Sequence, residues 1–126
     1  MNGLHLIADL HDCRCPERFL HDASSLEIFS VDACQRHGLT VVGRLFHAFC
    51  NASGEPAGVT GTVVLAESHL AIHTWPELNS VTLDVYVCNF SGDNSHRAYT
   101  LFAEVIAAFA PDRLEKKEVA RGHLGD

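Results

Sequence analysis

Between residues 59 and 87 the chain carries three runs rich in β-branched and aliphatic residues, at 59–66, 70–73 and 81–87. The links between them are too short for a crossover helix. Parallel neighbours need a dozen or more intervening residues, so the short links favour antiparallel pairing, with 70–73 read as an extension of the 59–66 strand after a break. Such a sheet packs one face on a core and leaves the other open.

The remaining elements supply the covering layer. Residues 3–10 read as a first strand, and 11–24 as irregular polar chain with Pro16 inside it. A helix is predicted from Ser24 or Ser25, either a suitable N-cap, with Leu26, Phe29, Ala33 and Cys34 on one stripe and Gly38 as its stop. Residues 39–49 read as a second strand and 51–58 as a loop. Asn94 or Ser95 caps a second helix whose apolar face is Ala98, Leu101, Phe102, Val105, Ile106 and Phe109, and Pro111 enforces its end. Residues 114–121 are too charged for a central strand and read as an edge strand or tail. The fold expected is α+β, a two-layer α/β sandwich with a mainly antiparallel sheet and two helices on one face, forming one domain over 1–126.

Composition narrows the function. At 126 residues and 47% apolar the core is real but thin, and an obligate dimer would supply the missing burial. A net charge of −7 argues against a nucleic-acid binder. No run approaches the roughly 18 apolar residues of a membrane span, and the first residues do not read as a secretory signal, so a cytoplasmic protein is expected. The five cysteines are odd in number and fit no zinc-site spacing, so reduced thiols and no metal are expected. His69 and His73 would share a metal on a helix, but on a strand they stand too far apart for a simple chelate.

The chemistry gathers in Glu67-Ser68-His69-Leu70-Ala71-Ile72-His73-Thr74-Trp75-Pro76-Glu77, with Cys88 closing the next apolar run. A serine at a strand end can attack its own preceding carbonyl and turn the amide into an ester, provided the peptide is strained. A base near neutrality, such as His73, can then remove the Ser68 α-proton and expel the upstream chain, leaving a ketone after hydrolysis. That pyruvoyl group is an electron sink for an amine substrate.

The Glu67–Glu77 block, preceded by Gly58-Val59-Thr60-Gly61 and followed by Cys88, resembles the prokaryotic S-adenosylmethionine decarboxylase proenzyme family. The segments 5–9 with Cys13, 46–49 and Val119-Ala120-Arg121-Gly122 are similar to it as well. The resemblance implies cleavage between Glu67 and Ser68 into pieces 1–67 and 68–126, with Ser68 becoming the pyruvoyl cofactor. It implies that His73 and Thr60 act in processing, the latter where the family has a serine, and that Cys88 is the catalytic proton donor. It implies substrate contacts from Glu77 to the ribose hydroxyls, from Phe46 and Phe49 around the adenine, and from Asp9, an acidic position usually held by Glu. The partners it implies are S-adenosylmethionine and a second copy of the processed protomer. The 50–57 segment is longer than the family's usual link. Two alternatives stay open in the sequence: an arginine or ornithine decarboxylase on the same scaffold, and an unprocessed, non-catalytic homologue that binds a partner.

Overall fold

The computed structural model describes residues 2–124. Six strands form one antiparallel sheet: β1 (Gly3–Cys13), β2 (Val41–Cys50), β3 (Pro56–Leu65), β4 (Ser68–Trp75), β5 (Ser80–Cys88) and β6 (Pro111–Arg121), in spatial order β2-β3-β4-β5-β1-β6. Helices α2 (Ala23–Arg36) and α3 (Ser95–Phe109), with the short α1 (Arg18–His21), pack against the sheet. The expected α+β two-layer sandwich is the fold observed. Among the described residues, no helix is long and apolar enough to cross a membrane.

Alternation along the strands sorts every side chain onto a face. Leu6 and Leu10, Val63, Leu70 and Ile72, and Leu83 and Val85 point to the helices, where they are buried with Leu26, Leu101, Val105 and Phe109. The intervening residues, among them His5, Asp9, Thr60, His69, His73, Asp84 and Tyr86, stand on the uncovered face. Where Arg36 and His37 leave α2, both bond to Glu104 on α3, His37 Nε2 at 2.9 Å. The Arg36 hydrogen bonds are the main cause that holds the Glu104 carboxyl at about 2. This clasp ties the two long helices together on the side away from the open face.

Two elements depart from the sequence reading. The segment expected to be irregular holds the last residues of β1 and the one-turn helix α1. Residues 68–75 form a full strand rather than a broken extension. The charged C-terminal stretch takes one of its two expected forms, an 11-residue edge strand paired with β1. Backbone pairing is indifferent to side-chain charge when the side chains face water, so a charged stretch can hold the edge of the sheet.

One buried side chain joins the layers. Thr74 is 4% exposed, and its Oγ1 accepts from the Val59 N–H at 2.8 Å and donates to the Leu20 carbonyl at 2.5 Å. Gly58 (φ 127°) lies beside it, so close that a Cβ there would sit 2.3 Å from the Thr74 carbonyl oxygen. Thr74→Val keeps the shape and orphans both backbone groups. It should cost about 1–3 kcal/mol, read as a lower urea midpoint with an unchanged m-value.

Candidate active site

The proposed scissile bond lies in the tightest connection of the sheet. Leu65 and Ser68 are register partners, so Ala66 and Glu67 alone make the turn between β3 and β4. Glu67 takes a left-handed backbone, φ 64°. A residue with a Cβ pays about 1–2 kcal/mol for that conformation. Its carboxylate accepts from the Ser91 N–H at 3.3 Å. Ser68 is 7% exposed, and among the described residues its Oγ has no hydrogen-bond partner. A buried hydroxyl left unbonded beside a strained peptide is a nucleophile held without a competing interaction.

Register places Cys88 at the same end. His69 pairs with Tyr86, which sets Ser68 opposite Val87 and next to Cys88 on the neighbouring strand. Cys88 is 6% exposed. By contrast, burial pushes the Cys13 thiol up to about 11 and the Cys34 thiol up to about 12, so these two serve as small apolar core groups.

His73 is elsewhere. A strand rises about 3.3 Å per residue, so His73 stands roughly 16 Å along β4 from Ser68. There it meets Thr60: the two are register partners, with Thr60 Oγ1 and His73 Nδ1 at 3.1 Å. The row across the sheet continues through Thr82 to Asp9. The His73 and Trp75 rings are 6.1 Å apart, and Glu77 follows in the 3₁₀ turn Pro76–Leu78. Glu77 shares a cavity of about 540 Å³ with Asn51, Glu55, Pro56, Ala57 and Pro76, so the lengthened β2–β3 hairpin lies against it.

The two phenylalanines divide. Phe46 faces the helix layer, its ring lying directly on Gly61, where a Cβ would meet it at 2.2 Å. Phe49 is on the open face, 48% exposed and edge-on to His47 with centroids 4.6 Å apart. It pairs with Gly58, and carrying the β3–β4 register two residues beyond Thr60 and His73 brings Trp75 to the other side of that glycine. Phe49 and Trp75 thus stand two strands apart, roughly 10 Å, with no side chain between them.

A cluster beside Cys88 escaped the sequence reading. His69 Nε2 is 3.0 Å from Asp84 Oδ1. His5 Nε2 is 3.4 Å from the same oxygen, within ion-pair range but not aligned as a hydrogen bond. The donor atoms lie within 4.8 Å of one another, a spacing that would suit a metal ion. However, Arg121 Nη1 donates to His5 Nδ1 at 3.0 Å, and arginine can only donate. His5 therefore carries its proton on Nε2, on the side of Asp84, and the carboxylate accepts a hydrogen bond from His69 alone of the two imidazoles. The signal for these residues was present: each is a polar side chain at the alternate positions of an otherwise aliphatic strand.

The fold and site define a class first: an α+β sandwich with polar and titratable groups spread over an uncovered sheet face and a buried, unbonded serine hydroxyl at a strained hairpin. The sequence profile described as S-adenosylmethionine decarboxylase matches residues 4–122, and the chain belongs to that family. A relative from Syntrophomonas wolfei, named S-adenosylmethionine decarboxylase proenzyme, is 38% identical over 95% of this chain and 86% of its own length. One of the same name from Thermodesulfovibrio yellowstonii is 42% identical over 68% of this chain and 58% of its own. The crystal structure of the adenosylmethionine decarboxylase from Aquifex aeolicus superposes with a TM-score of 0.81 at 31% identity, covering 98% of this chain and 93% of that one.

The left-handed Glu67 gives a direct test of strain. In a Ser68→Ala background, where the chain stays in one piece, Glu67→Gly should raise unfolding stability by about 1 kcal/mol, measured in urea, because glycine pays no Cβ penalty there.

Proposed function

We propose that the chain is the proenzyme of a pyruvoyl-dependent S-adenosylmethionine decarboxylase that works as a homodimer, each site shared between two copies. The observation that carries this reading is the separation of Ser68 and Cys88 from the Thr60–His73 pair along one rigid strand. An extended β4 cannot bring its own His73 to its own Ser68, whereas a second copy laid in antiparallel fashion against the open face can present His73 of the partner subunit. The exposed aromatic and aliphatic residues of that face, Leu45, Phe49, Val64 and Trp75, support such a contact.

Processing on this proposal starts when Ser68 Oγ adds to the Glu67 carbonyl carbon. The peptide C–N bond breaks, the nitrogen takes a proton, and an ester remains. His73 of the partner subunit, oriented by its Thr60 hydroxyl, takes the Ser68 α-proton. The Ser68 Cβ–O bond then breaks, so that Glu67 leaves as the carboxylate end of piece 1–67. Hydrolysis of residue 68 releases ammonia and leaves a ketone. Ser68 fits this role because its unbonded Oγ and the strained peptide before it are already in place. When formed, the pyruvoyl group supplies the electron sink for the bond that releases carbon dioxide.

The other residues bind and move protons. Phe49 and Trp75 flank a gap wide enough for one planar base stacked on both sides, and their faces attract the sulfonium charge. Glu77, just beyond Trp75, accepts hydrogen bonds from ribose hydroxyls. Asp9 adds negative charge in the row of His73. Cys88 delivers a proton to the substrate α-carbon after decarboxylation. Phe46 supports this surface from behind rather than touching substrate. Reduced thiols and a small soluble substrate put the enzyme in the cytoplasm on this proposal.

Shared sites make a sharp prediction. Ser68→Ala and His73→Ala should each stay uncut when expressed alone. Co-expressed, they should yield cleaved His73→Ala chains and uncleaved Ser68→Ala chains, resolved by intact mass, since only a mixed dimer joins a sound Ser68 to a sound His73. Failure of the mixture to cut would sink the shared site. Wild type that stays intact would sink the proenzyme reading.

Glu77→Gln should still be cleaved, yet lose about ten- to hundredfold in kcat/KM for S-adenosylmethionine, the size of one or two charge-assisted hydrogen bonds. Carbon dioxide release from S-adenosylmethionine, arginine and ornithine measures this. Turnover of a basic amino acid alone would move the substrate and leave the cofactor chemistry standing.

A further inference from the structure

Tyr86 is closely held on the open face. Its hydroxyl occupies a slot between the two ends of the chain: a Cβ on Gly3 or on Gly122 would each lie 2.8 Å from that oxygen. The Arg121 guanidinium caps its ring at 4.6 Å. His5 and His69 press on it from either side, with centroids at 5.8 and 5.7 Å. Two residues on, along the same face of β5, is Cys88, on the side toward which the ring reaches, since the phenol oxygen lies against Gly3, the register partner of Cys88. Cys88 in turn pairs with Gly3, which pairs with Arg121. The Val119–Gly122 segment, distinctive in the sequence but without a role in the site so far, therefore builds the wall behind the proton donor.

We infer that Tyr86 is a positioning residue for Cys88: its O–H donates to the sulfur, fixes the thiol beside the Ser68 end of β4, and stabilises the thiolate left when the proton is delivered. This rests on the reading in which Cys88 protonates the substrate. In that step the S–H bond breaks, its electron pair stays on sulfur, and the proton bonds to the substrate α-carbon. Solvent returns a proton to the thiolate afterwards. A hydroxyl donor favours the charged form of its acceptor and is itself made harder to ionise. In line with this, the Tyr86 phenol is raised above its ordinary range, chiefly by burial and then by its neighbour Cys88, with Arg121 opposing. The charged and titratable groups facing the pair are His5 on β1, His69 on β4, Asp84 on β5 and Arg121 on β6. Asp84 is engaged by His69 and approached by His5, and Arg121 bonds to His5.

The test is Tyr86→Phe, which keeps the ring in its slot and removes only the hydroxyl. Three quantities are read on the purified protein: the cleaved fraction by intact mass, kcat and KM for carbon dioxide release, and the rate of Cys88 alkylation by iodoacetamide at fixed pH, resolved by peptide mass spectrometry. The expected result is a cleaved variant with kcat lowered about tenfold, KM changed less than about twofold, and Cys88 alkylated several-fold more slowly. Unchanged kcat and unchanged alkylation would overturn the inference. So would a variant that loses cleavage, kcat and KM together, since that is a structural defect. If the wild type shows no decarboxylation at all, the underlying reading fails. The alkylation comparison then still decides whether Tyr86 controls the Cys88 sulfur.

Discussion

Extension of β4 is the constraint from which the rest follows. A paired strand has one length per residue and two faces, and neither can be bent locally without breaking ladders on both sides. β4 is paired with β3 and β5 throughout. It therefore works as a ruler, with the hairpin nucleophile at one end and the Thr60-bonded histidine well down its length. A short motif that looks like one constellation in the sequence is two stations in space. On the shared-site proposal, a second copy is required by this rigidity rather than by the thinness of the core, although both point the same way.

The sheet tolerates two defects at the Ser68 end because they are small against the whole. A left-handed glutamate and an unbonded buried hydroxyl together cost a few kcal/mol at most on ordinary scales. Continuous ladders flank them, and the layer of Leu70, Ile72, Leu83 and Val85 lies beneath. Local strain at a hairpin relaxes when its bond is cut, so the same packing that holds the turn in its awkward form favours opening it.

Much of this was legible in the chain. The short links over 59–87 favoured antiparallel pairing, and the stripe of α3 was visible as Leu101, Phe102, Val105 and Phe109, all buried. Ser68, His73 and Cys88 stood out by chemistry. Their separation did not, because residue spacing becomes distance only once extended backbone is assigned across 68–75. Phe46 and Phe49 looked alike; three residues apart on a strand, they had to face opposite sides, and only the bulk of Phe46 over Gly61 shows which side each took. His5, Asp84 and Tyr86 were hidden for a different reason. His5 of β1 and His69 of β4 meet Asp84 and Tyr86 of β5 across the sheet, and cross-strand neighbours are written in the register, not in the order of residues. Charge ruled 114–121 out of the centre of the sheet but left edge strand and tail both open, since a solvent-facing edge strand needs no apolar face of its own.

The spatial order of the strands bears on what a break after Glu67 would leave behind. The first piece would own β1, β2 and β3, the second β4, β5 and β6, yet β1 lies between β5 and β6. Each fragment therefore holds a strand of the other in its grip, and neither is a sheet by itself. Separating them means tearing β1 from both neighbours and β3 from β4, which amounts to unfolding the domain. None of the five cysteines is in a disulfide, so no such bond spans the cut, and none is required. The nicked protein is a two-chain weave, and its halves persist as one body through interlaced threads rather than through a covalent seam.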